Sequence, residues 1–458
     1  MDSSSEAPLL LSRGSEHKEV PDEAGGKRPW WREAAEESGR LAALAAPMIA
    51  VALLQLLMQL ISTVMVGHLG EVALAGAAIA NSLTNVSGFS VLDWHAHWKL
   101  FVGRPMEQNS IISYPYIPTG QQPEIANEAG KYALWLIPGL FAFSVAQCFS
   151  KFLQCQSLIF PMVLSSMITL AVFIPLCWFL VYKVGMGNAG AALSVSICDW
   201  VEVIVLGLYI KFSPSCEKTR APLTWEAFKG IGSFMRLAVP SALMICLEWW
   251  SYELLVLLSG ILPNPALETS VLSICISTVV LLYNLPYGIG TAASVRVSNE
   301  LGAGNPEGAR LVVGVALSIV VCSAVLVSTT LLALRHFIGI AFSNEEEVVD
   351  YVTRMVPVLS ISVITDSFQG VLSGVSRGCG WQHLGTYVNL GAFYLVGIPV
   401  ALFFGFTMQL RGMGFWIGMI AGGATQVTLL SVITATTKWD KMADKAKERV
   451  FEDRLPTQ

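Results

Sequence analysis

Five carboxylates lie inside stretches of the chain that are otherwise apolar. They are Asp199, Glu202, Glu248, Glu253 and Asp366. A charged side chain at the centre of a bilayer costs about 2.5–3.5 kcal/mol on insertion scales, so such residues are rare and usually functional. Carboxylates in this position can bind and release protons or cations. They favour a membrane protein that couples protons or cations to the movement of a cargo.

The composition agrees with a membrane protein built from helices. Of the 458 residues, 54% are hydrophobic and 13% are charged. Residues 1–40 contain 15 of the 61 charged side chains, and residues 438–458 contain another 11. The chain between them forms repeated apolar runs of about 20 residues or more, long enough to cross a bilayer as helices. A membrane β-barrel would instead alternate apolar and polar residues. We therefore predict an all-α, polytopic helical membrane protein.

The apolar runs also predict the topology. Eleven spans are predicted, near residues 41–66, 71–92, 132–154, 158–182, 189–211, 236–260, 269–295, 309–334, 351–373, 385–407 and 414–436. Short flanks rich in Lys and Arg remain in the cytosol. This rule predicts a disordered cytosolic tail (1–39), a cytosolic connection (212–235) and a basic cytosolic tail (438–458). The acidic connection at 341–350 is expected on the opposite side.

The two halves of the chain resemble each other. Arg40-Leu41-Ala42 before Pro47 opens the first half as Arg236-Leu237-Ala238 before Pro240 opens the second. Two similar repeats that enclose a cavity near the midplane are typical of secondary transporters. We therefore predict two pseudo-symmetric lobes, at 40–211 and 236–437. The first is about 26 residues shorter, because the polar segment 93–121 contains no span.

Several motifs carry a resemblance to a known family. They are Met65-Val66-Gly67-His68-Leu69-Gly70, Cys246-Leu247-Glu248-Trp249-Trp250, Arg296-Val297-Ser298-Asn299-Glu300-Leu301-Gly302-Ala303-Gly304, Gly374-Val375-Ser376-Arg377-Gly378-Cys379-Gly380-Trp381-Gln382 and Arg411-Gly412-Met413-Gly414. With them the chain resembles plant members of the multidrug and toxic compound extrusion (MATE, or detoxification) family. The resemblance implies twelve spans in two six-helix lobes, and the chain departs from it at 93–121, where the third span should stand.

The resemblance implies an antiporter that exports or sequesters organic cations, xenobiotics or plant secondary metabolites in exchange for protons. Sodium is the less favoured coupling ion, and no cofactor is implied. The expected setting is the vacuolar or plasma membrane, with small organic substrates and the lipid bilayer as partners, no nucleic acid, and a monomeric protein. The family's proton-binding acids match Glu248 and Asp366 here.

The surroundings of these two acids support that role. Trp249 and Tyr252 lie close to Glu248 along the chain, and Asp366 belongs to a polar stripe at helical spacing that includes Gln369. Desolvation disfavours the charged form of such a carboxylate, so that proton binding becomes possible at physiological pH. The alternative is a structural acid that is satisfied by hydroxyl and amide neighbours.

Other polar residues inside the spans are candidates for lining the cavity. The predicted lining comprises Trp249, Tyr252, Asn284, Gln369, Gln55 and Gln59. Hydrogen bonding between helices explains the amides equally well. Glu253 could face the lobe interior or an interface, and Asp199 and Glu202 are expected to be structural or interfacial.

The sequence fits functions of other classes less well than it fits transport. An enzyme would need clustered nucleophiles, bases or metal ligands, whereas the six histidines are scattered, so no catalytic or metal-binding residues are predicted. A channel would show a filter of repeated polar loops, which is not evident. The serious alternative is a non-transporting product of the same gene, such as a truncated splice product or a partly folded isoform.

The missing span has a consequence for insertion. If the N-terminal tail is cytosolic, two spans return the chain to the cytosol at Leu92, and the following nine would carry the basic tail 438–458 outside. This arrangement violates the preference for basic flanks in the cytosol. We therefore predict that this chain inserts with a frustrated first lobe or is unstable.

Overall fold

The computed structural model describes most of the chain outside the N-terminal tail. The described residues are 29–69, 73, 77, 123–219, 231–259, 261–342 and 345–452. Nearly all of the predicted second span and the whole of the segment 93–121 therefore lie outside the described residues.

Within these ranges the regular elements are helices, and no strand occurs. We number the helices as α1 (Trp30–Gly67), α2 (Pro123–Cys155), α3 (Phe160–Lys183), α4 (Asn188–Phe212), α5 (Ile231–Ser259), α6 (Pro265–Gly302), α7 (Pro306–Ala333), α8 (Arg335–Phe342), α9 (Glu346–Cys379), α10 (Gln382–Thr407), α11 (Arg411–Thr436) and α12 (Trp439–Glu452). The expectation of an all-helical fold is confirmed.

Nine of the described helices are long and apolar enough to cross a membrane, namely all except α5, α8 and α12. Each of the nine covers one predicted span. The helix α5 contains the predicted span 236–260 and, with 29 residues, is about 43 Å long, which exceeds the thickness of a hydrocarbon core. It carries two of the five carboxylates, Glu248 and Glu253.

Helix boundaries follow from local chemistry. Proline occupies the first position of α6 and of α7, where its missing N–H costs no hydrogen bond. The side chain of Asn305 caps α7 by accepting the backbone N–H of Gly308 at 3.0 Å. The helix α9 ends at Gly380, whose φ of 77° is the left-handed conformation that glycine adopts without strain.

The packing of the helix ends defines two faces. Leu41 near the start of α1 shares a hydrophobic cluster with Trp439 of α12, so both ends of the described chain lie at one face. Val66 near the end of α1 packs with Tyr132 in the first part of α2 and with Val181 at the end of α3. From the basic flanks near Leu41 and Trp439 we predict that the first face is the cytosolic one.

The end of α1 and the start of α2 thus lie together at the opposite face. The two ends of the described chain share one face, and the placement of both tails in the cytosol stays a prediction. The predicted frustration of the first lobe arises from the segment 93–121, which lies outside the described residues, and it stays a prediction. The division into two lobes also stays a prediction.

The closest helix contact in the second half joins α6 to α9. Gly370, Gly374 and Gly378 repeat every fourth residue along α9, so they form one narrow face. A Cβ atom on Gly374 would collide with the backbone oxygen of Gly290 in α6, and one on Gly378 would lie 2.7 Å from the oxygen of Ser294. Small residues at this spacing allow two membrane helices to touch through their backbones.

This contact generates a first prediction. Gly374→Ala should lower the melting temperature of the purified protein, because the added methyl group forces α6 and α9 apart at a cost of about 1–3 kcal/mol. Thermal unfolding in detergent, followed by size-exclusion chromatography, measures the effect.

Gly314→Ala on α7 is the matched control, since a Cβ atom there meets nothing within 4 Å. The same replacement in an unhindered helix should leave the melting temperature unchanged or raise it. A melting temperature for Gly374→Ala equal to that of the control would contradict the proposed close contact.

Candidate functional site

The two carboxylates assigned to proton binding line one cavity between α5, α6 and α9. The lining residues are Glu248, Trp249, Tyr252, Ile276, Val279, Val280, Tyr283, Asp366 and Gln369. The empty volume of the cavity, including space open to solvent, is about 400 Å³. The part of it that the centre of a water-sized molecule can occupy is about 30 Å³, so in this conformation the cavity has room for water and not for an organic substrate.

Helical spacing explains how each element contributes to the cavity. On α5, Glu248 and Tyr252 are four residues apart and lie on one face. On α9, Asp366 and Gln369 are three residues apart, and Gly370 follows directly. Because Gly370 packs against Tyr283 and the backbone of Pro286, the contact between α6 and α9 lies immediately beside the cavity.

The carboxylate of Asp366 is buried and has one local hydrogen-bond donor. Its side chain is 7% exposed, and the hydroxyl of Ser362 donates to its Oδ2 at 2.9 Å. Gly423 of α11 faces it, because a Cβ atom there would lie 3.9 Å from Oδ1. The lack of a side chain at position 423 leaves room beside the carboxylate.

Glu248 lies across the cavity from Asp366. The two carboxylates interact electrostatically, Gln369 lies next to Glu248, and Arg377 acts on it from further along α9. No close ion pair found in the described part of the chain includes Glu248 or Asp366. Two carboxylates that share an apolar cavity repel each other when both are ionised. Such a pair favours the binding of a proton or of a cationic ligand.

Aromatic rings form much of the remaining wall. Tyr252 packs against the buried Trp416 with ring centroids 6.2 Å apart, which holds its ring in place. Trp249 and Tyr283 add two further rings to the lining. Aromatic faces attract cations, and their edges pack well against flat organic molecules. The cavity therefore combines negative charge with aromatic surface.

The structure brings together five of the eight predicted site residues and leaves three outside this cavity. Asn284 donates from its Nδ2 to the oxygen of Val280 at 3.1 Å, so its amide is turned onto its own helix. Gln55 is partly buried and Gln59 is exposed, both on α1. Their assignment as lining stays a prediction.

The other carboxylates within predicted spans lie elsewhere. Glu253 is partly buried on α5 and does not line the cavity. Asp199 and Glu202 are buried on α4, with 8% and 7% of their surface exposed. The backbone of Gly139 in α2 approaches Asp199 closely, since a Cβ atom there would lie 3.0 Å from its Oδ2. This contact between two helices agrees with a structural placement.

Tyr283 lines the cavity from α6 and was not among the predicted site residues. In the sequence, Tyr283 belongs to a row of residues at helical spacing that also contains Ile276, Val279 and Val280. Apolar residues at this spacing occur on every buried helix. The row alone therefore could not distinguish a cavity wall from an ordinary helix contact.

A second missed residue is Glu268, near the start of α6. Its side chain is fully buried, and its Oε2 accepts hydrogen bonds from the hydroxyl of Tyr351 at 2.9 Å and from the N–H of Gly412 at 3.1 Å. Arg411 approaches Oε1 at 3.9 Å. Glu268 thereby joins the first turns of α6 and α11 to the second turn of α9, at the face opposite Leu41 and Trp439.

This contact leads to a second prediction. Tyr351→Phe removes a hydrogen bond to a buried carboxylate and should destabilise the protein by about 1.5–3 kcal/mol. The melting temperature in detergent should fall. Tyr387→Phe is the control, because Tyr387 is 72% exposed and its replacement should change stability by less than about 0.5 kcal/mol. Equal melting temperatures for the two variants would show that the hydroxyl of Tyr351 contributes nothing.

Comparison with known proteins places this chain in a family. A family model described as MatE matches residues 47–92 and 240–403. Protein DETOXIFICATION 12 of Arabidopsis thaliana is 48% identical over 442 residues, which cover 90% of this chain and 92% of that protein.

Solved structures agree with this match. The crystal structure of the eukaryotic MATE transporter AtDTX14 is similar, with a TM-score of 0.84 and 45% identity, over 91% of this chain and 99% of that chain. A multidrug resistance MATE family transporter in an outward-facing conformation shares the fold, with a TM-score of 0.72 and 16% identity over 90% and 97% of the two chains. The chain therefore belongs to the MATE family, and it is an integral multi-pass membrane transporter of small molecules rather than an enzyme.

Proposed function

We propose that the protein is a secondary active antiporter that moves organic cations in exchange for protons. The observation that carries the proposal is the position of Glu248 and Asp366 in one cavity with aromatic walls. Xenobiotics and plant secondary metabolites with a cationic group belong to this substrate class. Transport would lead to export across the plasma membrane or to sequestration across the vacuolar membrane.

The shared cavity supplies a mechanism for exchange. When a proton neutralises the carboxylate pair, the negative charge that attracts a cationic substrate is reduced, and the substrate is released. When the proton leaves, the repulsion between Glu248 and Asp366 returns and favours cation binding. Because both ligands act on the same two groups, binding of one weakens binding of the other, as antiport requires.

The two carboxylates support a proton as the coupling ion, because each can bind and release one when burial disfavours its charged form. Beyond them, the lining provides one amide, from Gln369, and the hydroxyls of Tyr252 and Tyr283. Most of the remaining wall is aliphatic or aromatic, which suits the apolar part of an organic substrate.

The third prediction concerns coupling. Glu248→Gln and Asp366→Asn each remove one titratable group while keeping the size of the side chain. Both variants should lose uptake of a fluorescent organic cation that is driven by an imposed pH gradient in proteoliposomes. Their expression and chromatographic behaviour should remain those of the unaltered protein.

The matched control is Asp350→Asn, the same replacement at an exposed position near the start of the same helix, α9. Uptake by this control should equal that of the unaltered protein. Undiminished pH-driven uptake by Glu248→Gln or Asp366→Asn would remove the affected residue from the coupling mechanism.

A further inference from the structure

A bidentate ion pair joins the first half of the chain to the second at the cytosolic face. In α6, Arg296 donates from Nε to Oε1 of Glu37 at 2.7 Å and from Nη2 to Oε2 at 2.9 Å. The two residues are 259 positions apart in the chain. Glu37 is 4% exposed and Arg296 11% exposed, so water has little access to the pair.

The guanidinium is held in place from its own helix. Nη2 of Arg296 also donates to Oε1 of Glu300 at 2.7 Å, one turn along α6. Oε2 of Glu300 in turn accepts the amide Nδ2 of Asn305 at 2.9 Å, and Asn305 caps α7. The guanidinium group of Arg296 is therefore held in a fixed orientation by the second half of the chain, and the carboxylate of Glu37 in α1 accepts two of its hydrogen bonds.

Apolar contacts continue from the ion pair toward the membrane. Leu41 and Ala45 of α1 share a cluster with Ile289 and Ala292 of α6, and Ile49 packs against the same cluster. A Cβ atom on Gly288 would collide with the side chain of Ile49. The two helices thus touch over residues 37–49 and 288–300.

Beyond this contact the apolar residues of α1 serve other partners. Val51 joins a cluster of the first half that contains Leu153 and Leu206. Toward the opposite face, several large apolar side chains of α1 are exposed. They are Leu53 (44%), Leu57 (44%), Leu60 (52%) and Val64 (58%). In the described part of the chain, α1 thus packs on α6 through residues 37–49, and its apolar residues further along do not belong to this contact.

We propose that Glu37 and Arg296 form a cytosolic latch that the transport cycle must open and close. Access to the cavity from the cytosol requires α1 to leave α6, and this movement breaks the ion pair. Once the helices separate, water hydrates both charges, so the open state carries no buried unpaired ion. The pair therefore favours closure without making it permanent. The consequence for transport rests on the proposed antiport function.

The latch can be tested by chemical access to the closed contact. Ala292 is fully buried there, so Ala292→Cys places a thiol where a reagent enters only when the contact opens. A membrane-impermeant maleimide is applied from the cytosolic side of proteoliposomes. Mass spectrometry of the peptide that contains position 292 separates its modification from that of the nine native cysteines.

In this background Glu37→Gln should increase the labelling rate at position 292 by about tenfold or more, because it removes the ion pair between α1 and α6 and leaves Arg296 paired only with Glu300 of its own helix in the closed state. Arg296→Gln should have a similar effect. The double variant should label no faster than the faster of the two single variants, since the pair is already lost in either one.

Glu128→Gln is the matched control. Glu128 forms an ion pair with Lys131 at 2.8 Å, but both residues belong to α2, so this pair joins no two helices. It should leave labelling unchanged. Arg296→Lys replaces any glutamine variant that is not recovered folded, since lysine keeps the charge but loses the bidentate geometry. Labelling that is unchanged in the Glu37 and Arg296 variants overturns the latch.

Failure of the latch and failure of the antiport function give different results. If the variants label faster while the unaltered protein shows no pH-driven uptake, the latch stands and the proposed function is wrong. If the unaltered protein transports and none of the variants labels faster, the latch is wrong and the proposed function stands.

Discussion

The backbone contact between α6 and α9 is the constraint on which the second half of this transporter depends. Gly374 and Gly378 meet the backbone of α6 at distances that exclude any side chain. Because this contact lies immediately beside Asp366 and Gln369, it sets the distance between the helices that form two walls of the cavity. A wider crossing would move Asp366 and Gln369 of α9 away from Tyr283 of α6 and change the shape of the cavity.

Helix α6 makes contacts with other parts of the protein at three positions along its length. Glu268 joins its first turn to α9 and α11, Tyr283 lines the cavity from its middle, and Arg296 contacts α1 near its C-terminal end. Pro286 lies between the cavity and the latch, at a position where the helix lacks one backbone hydrogen bond. One helix thus connects the contact made by Glu268, the cavity and the proposed latch.

Much of the second half could be predicted before any contact was known. The apolar runs predicted every span that the structure describes, because hydropathy and length are local properties of the chain. Helical spacing placed Tyr252 on the face of Glu248 and Gln369 on the face of Asp366, and all four line the cavity. Asn284 did not follow this logic, since its amide satisfies a carbonyl group of its own helix, which spacing cannot reveal.

By itself, therefore, the sequence determined the helical class, the apolar runs that form the spans and the carboxylates that lie within those runs. Only the tertiary structure decided which helices meet. The pairs Glu268 with Tyr351 and Glu37 with Arg296 are separated by 83 and 259 residues, and no periodicity links such positions. Their partners depend on how the helices cross, and in the second half that crossing is set by the glycines of α6 and α9.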